Sequence, residues 1–132
     1  MPKANVIWQL VVVTPNEVGT LARLCETIRT SGANISHFCG SAIGDDARFM
    51  VAVDKPDKVA KALRALDYEV SEVEVLEVEL ENAPGTLELV AQKLAEGHVD
   101  IEYNYATTSN GKRVVCIMAT NDNRKALQLI NG

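Results

Sequence analysis

The chain has 132 residues, of which 47% are hydrophobic and 23% charged, a composition able to bury one ordinary core or two small ones. A net charge of -5 gives no electrostatic drive toward a phosphate backbone, and no apolar run reaches the roughly 20 residues of a membrane span, so neither nucleic acid nor membrane is an expected partner. The N-terminus lacks the apolar stretch of a secretory signal, and Cys25, Cys39 and Cys116 show neither disulfide nor zinc spacing; a cytoplasmic protein with no metal and no cofactor is expected.

Residues 6–14 predict an apolar strand that leads into the turn from Asn16 to Gly19. Leu21, Leu24, Cys25 and Ile28 then follow helical spacing, which makes Leu21 an expected core residue. Gly32 suits the left-handed residue that ends a helix. A second strand over 33–43, a hairpin at 44–46 and a third strand over 49–53 follow, then a helix near 56–66 and a fourth strand over 68–74. The basic stripe Lys55, Lys58, Lys61 and Arg64 reads as the wet face of that helix.

The same order then returns. Residues 75–80 predict a strand, with Leu76, Val78 and Leu80 alternating with Glu77 and Glu79. A helix carries Leu87, Val90, Ala91 and Leu94, with Gly97 at its end as the expected left-handed residue. Strands over 99–108 and 114–119 flank a turn at Asn110 and Gly111, and a helix over 123–130 closes the chain. Sliding the sequence by 66 residues without a gap lays Gly19 on Gly85, along with Leu10 on Leu76, Ile35 on Ile101, Ala60 on Ala126 and Leu63 on Leu129. The reading is an α+β protein of two tandem ferredoxin-like βαββαβ units, 1–72 and 73–132, with antiparallel sheets carrying helices on one face. The second unit lacks its own fourth strand, so its edge should be covered by the 68–74 segment or by a second chain, the latter giving a homodimer. Val11 and Val13, where the second copy has Glu77 and Glu79, predict a covered outer face in the first copy.

The motif Asn-x-x-Gly-Thr-Leu between first strand and first helix, followed by Gly-Ala-Asn-Ile or His-Val-Asp-Ile opening the second strand, resembles the ACT domain pattern. ACT domains take their name from aspartokinase, chorismate mutase and prephenate dehydrogenase, in which they sense amino acids. The resemblance covers the chain twice and implies a stand-alone, non-catalytic protein that binds a free amino acid, held between the loop of one ACT unit and the second-strand region of its neighbour. The candidate residues are Asn16, Glu17, Val18, Gly19, Thr20, Leu21, Asn34 and Ile35 in the first copy, and Asn82, Ala83, Pro84, Gly85, Thr86, Leu87, Asp100 and Ile101 in the second. Glu17-Val18 departs from the proline that the family commonly has before the glycine and that Pro84 supplies in the second copy.

The chemistry of these residues suits such a ligand. A helix N-terminus offers unpaired N–H groups to a carboxylate, Gly19 and Gly85 let it approach the main chain, and Asn16, Asn82, Asn34 and Asp100 offer acceptors to an ammonium. The same residues also serve a plain helix start, with Asn as N-cap and Pro84 in the first turn, so a structural or protein-interaction adaptor without ligand is the competing reading. His37 and Cys39 share a strand face but have no second pair to complete a metal site. No nucleophile elbow, phosphate loop or zinc-protease motif occurs, and no catalytic residue is expected.

Overall fold

A computed structural model describes residues 2–107 and 111–132. The elements run β1 (Lys3–Pro15), α1 (Thr20–Thr30), β2 (Ile35–Ile43), β3 (Asp46–Val53), α2 (Pro56–Arg64), β4 (Glu69–Glu81), α3 (Thr86–Glu96), β5 (Ile101–Thr107), β6 (Arg113–Thr120) and α4 (Asn123–Asn131). The expected second turn falls partly on Asn110, and the expected strand over 99–108 on Thr108, both outside the described residues. The six strands hydrogen-bond in the order β2-β3-β1-β4-β6-β5, antiparallel throughout.

The chain forms two compact units, one of residues 8–73 and one of residues 1–7 with 74–132. This changes how the expected strands are divided. The segments read as a fourth strand over 68–74 and a first strand over 75–80 form one strand, β4, because no glycine, proline or turn residue interrupts them. The unit that was expected to lack a fourth strand takes residues 3–7 of β1, and Ala4 is buried in the same core as Leu76, Val78 and Leu80. Both covers expected for that edge, the 68–74 segment and a second chain, are thereby replaced. β1 and β4 carry the same 13-residue alternation of buried and exposed positions.

Each unit has its own core. In the first, Leu10 and Val12 of β1 and Val51 of β3 meet Leu24 and Ile28 of α1 and Val59 and Leu63 of α2. In the second, Leu76 and Val78 meet Val90, Leu94, Met118, Ala126 and Ile130. Burying an aliphatic side chain of this size stabilises the fold by about 1.5–3 kcal/mol, so these few residues set each unit's helix packing. Leu21 and Leu87 are not among them. They are 48% and 44% exposed, because both helices turn Leu24 and Ile28, or Val90 and Leu94, inward instead. Of the cysteines, Cys116 is buried, and Cys25 and Cys39 are half-buried.

The gap-free repeat holds through β5 and then slips by one. Val12 pairs with Phe49 and Val78 with Cys116, so Phe49 answers to Cys116 at an offset of 67. Val59, not Ala60, therefore answers to Ala126, and Leu63 answers to Ile130. The left-handed position also moves. Gly32 has φ 73, but in the second unit His98, with φ 57, takes that conformation while Gly97 stays at φ -85. Val11 and Val13 on the outer face are half-buried beside Met50 and Arg48.

Candidate functional site

The loop after β1 is built from the backbone outward. The Asn16 N–H donates to the Asp45 carbonyl at 2.8 Å, tying the loop to the β2–β3 hairpin. The Glu17 carbonyl accepts from the Thr20 N–H at 3.3 Å and from its hydroxyl at 2.9 Å, so the recurring threonine closes the turn. Gly19 is the N-cap at φ 90, a left-handed conformation that costs an ordinary residue about 1–2 kcal/mol, and a Cβ added there would meet nothing within 4 Å. Asn16 is not the cap, since no side chain caps α1. The first intrahelical bond runs from the Arg23 N–H to the Gly19 carbonyl at 3.1 Å. Among the described residues nothing accepts from the Leu21 and Ala22 N–H groups, and the first turn holds no acidic residue, so the positive end of α1 is open to an anion.

Beside this helix start lies a cavity of about 390 Å³. Asn16, Glu17, Gly19, Thr20 and Leu21 form one side. Phe38, Gly40, Ser41, Ala42, Ala47 and Phe49, from the ends of β2 and β3 nearest their hairpin, form the other. The Phe38 and Phe49 rings stand 5.9 Å apart, tilted by 37°. Hairpin pairing puts Gly40 opposite Phe49, and a Cβ on Gly40 would lie 3.0 Å from that ring. Glu17 is the one ionisable residue in the lining.

Five of the eight candidates of the first copy meet here. Val18 projects fully into solvent, and Asn34 and Ile35 sit at the far end of β2. The cause is geometric: the 11 residues of α1 carry the chain back roughly 16 Å before β2 begins. At that far end the Asn34 N–H donates to the Asp54 carboxylate at 2.9 Å, and the Asp54 N–H donates to the Asn34 carbonyl at 3.3 Å. Asp100 and Asn121 repeat this exchange at 3.0 Å and 3.1 Å, so both positions serve to join strand to strand. Phe38, Gly40 and Phe49 were not singled out in the sequence: the turn expected over 44–46 would set Gly40 against Met50, whereas the observed turn holds only residues 44 and 45, pairs Ile43 with Asp46 and so sets Gly40 against Phe49.

The second loop is built the same way but furnished differently. Gly85 is the N-cap at φ 83 with open space beside it, and the Thr86 hydroxyl donates to the Glu81 carbonyl at 2.8 Å. The Asn82 side-chain amide donates to the Gly111 carbonyl at 3.0 Å. Ala83 stands where the first loop has Glu17, and Glu88 occupies the first turn of α3. At the positions of Phe38, Gly40 and Phe49 stand Asn104, Ala106 and Cys116.

Solved structures share this fold. A crystallised protein of Bacteroides thetaiotaomicron superposes with a TM-score of 0.89 at 26% identity, over 97% of this chain and 88% of that one. The regulatory subunit of aspartate kinase from Thermus flavus does so with a TM-score of 0.68 at 16% identity, over 98% and 94%. The ligand-free regulatory subunit from Thermus thermophilus gives 0.70 at 15%, over 96% and 95%. The fold is that of ACT-type regulatory domains. No protein-family model and no curated protein matches the chain. Among the described residues no helix is long and apolar enough to cross a membrane, and no three His, Cys, Asp or Glu side chains come together as metal ligands would.

Proposed function

We propose that the protein is a non-catalytic, cytoplasmic regulatory module of two ACT units that binds a free amino acid at the strand–helix loop of its first half. The observation that carries this reading is the cavity of about 390 Å³ beside the start of α1. Its size lies within the range of small-molecule sites, and it brings together what an amino acid requires. The open N–H groups of Leu21 and Ala22 suit the carboxylate, with Gly19 letting it approach the main chain. Glu17 and Asn16 offer oxygen acceptors to the ammonium. The apolar wall receives the side chain. The fold shared with aspartate kinase regulatory subunits supports the regulatory role.

A homodimer remains part of the proposal, on different grounds from the open strand edge. It rests on the half-buried outer face at Val11 and Val13 and on the exposed Val18, Leu87 and Leu89. The same exposed residues favour the second reading, an interaction adaptor with no ligand. Thermal unfolding of the chain with each of the twenty amino acids separates the two. A ligand present at one hundred times its Kd adds about 2.7 kcal/mol of stability. The adaptor reading requires no shift with any of them.

A further inference from the structure

We propose that the cavity of the first half selects amino acids with uncharged, apolar side chains, that Phe38, Gly40 and Phe49 set this selectivity, and that each chain binds a single ligand. The inference rests on the amino-acid-binding reading above and adds to it the ligand class and the number of sites.

The wall opposite the helix start is hydrocarbon. Phe38 and Phe49 form a tilted pair, and Gly40 keeps Phe49 close to the backbone, because a Cβ there would press on the ring at 3.0 Å. Phe49 is 8% exposed and packs into the core, while Phe38 and Leu21 are 37% and 48% exposed and turn apolar surface to the cavity. An apolar side chain placed there removes that surface from water, whereas an anionic one would lose hydration with no counter-charge to replace it, and a cationic one would compete with the ligand's own ammonium for Glu17. No cationic residue lines the cavity, and Glu17 would repel an aspartate or glutamate side chain while attracting the ammonium that all amino acids share.

The second half lacks each of these features. Asn104, Ala106 and Cys116 replace the aromatic wall, and Ala83 replaces Glu17. Glu88 in the first turn of α3 already supplies the negative charge that a ligand carboxylate would bring. The two loops share their turn chemistry, Gly at φ near 90 and a threonine closing the bend, which is explained by starting a helix alone. What differs between the halves is the cavity furniture, and that difference assigns the ligand to one of them.

The experiment is calorimetric titration of the full chain with leucine, phenylalanine, alanine, aspartate and lysine. One site per chain is expected, with leucine or phenylalanine bound about tenfold or more tightly than alanine and no heat from aspartate. Ala42→Phe fills the cavity from an exposed position and so tests the site without disturbing the core; it should cut leucine affinity at least tenfold. Gly40→Ala, whose Cβ would press on the Phe49 ring at 3.0 Å and so displace part of the aromatic wall, should narrow the preference for leucine over alanine. Preferred binding of aspartate or lysine, two equal sites per chain, or leucine binding unchanged in Ala42→Phe would overturn this inference and leave amino-acid binding standing. No binding by any of the five, with none of the twenty amino acids shifting thermal unfolding, would overturn both.

Discussion

Asn131, at the end of α4, holds the N-terminal strand segment with one side chain. Its amide oxygen accepts from the Ala4 N–H at 2.8 Å, and its NH2 donates to the Ala4 carbonyl at 2.8 Å. Ala4 is 6% exposed, so neither backbone group can turn fully to water if the side chain is removed. Each bond contributes about 0.5–1.5 kcal/mol net, and leaving a buried partner unpaired costs more, so Asn131→Ala should lower stability by about 2 kcal/mol, a factor of about 30 in the folding equilibrium. The counterpart in the first half, Arg64, donates one bond to the Val70 carbonyl at 2.9 Å, and Arg64→Ala should cost about half as much. Urea unfolding followed by the fluorescence of Trp8, the single tryptophan, measures both, and amide exchange at Ala4 localises the first. A loss under about 0.5 kcal/mol in Asn131→Ala with Ala4 protection unchanged would refute the claim that α4 pins residues 3–7 in the second unit.

Other expectations follow from local geometry. His98 sits at φ 57 where Gly32 stands in the first half, so His98→Gly should stabilise by about 0.5–1 kcal/mol; a loss on urea unfolding would show that the imidazole contributes more than the strain costs. Gly19→Ala and Gly85→Ala should each destabilise by about 1 kcal/mol, while only the former weakens amino-acid binding by calorimetry; equal effects on binding would contradict a single site. Burial raises the Cys116 thiol from its ordinary 9.0 to about 11, so the folded state keeps a proton that the unfolded state releases. Stability from this group is therefore complete below pH 9 and falls by roughly 2–3 kcal/mol as pH rises to about 11, a slope that Cys116→Ala should remove in urea titrations across that range. In native protein, a thiol reagent should label Cys25 and Cys39 well before Cys116.

Much of the fold was legible because each half repeats one switch from strand to helix periodicity, and Gly19 and Gly85 mark the same turn. The partner of β4 was missed although the repeat held it: the 66-residue offset lays residues 3–7 on 69–73, the segment read as a fourth strand. Lys3, Ala4 and Asn5 concealed it, since only one of these three residues is apolar, too few to mark a strand by periodicity. The slip to an offset of 67 was concealed because Ala60/Ala126 and Leu63/Leu129 are identical by coincidence, one position away from the true equivalents. Leu21 and Leu87 fitted the helical spacing yet face outward, because a stripe of four apolar positions is wider than the two that each helix turns to its sheet. The loop half of the candidate site was readable as turn chemistry. The cavity wall was not, since Phe38 and Phe49 look like ordinary strand residues until pairing across β2 and β3 brings them together.

The most direct test of the central claim is a nitrogen–proton correlation spectrum of the labelled chain titrated with leucine. Saturable shifts confined to residues 16–22 and 38–49, with residues 82–88 unmoved, are the predicted result. Spectra unchanged by millimolar leucine and by every other amino acid, or shifts centred on Gly85, would contradict it.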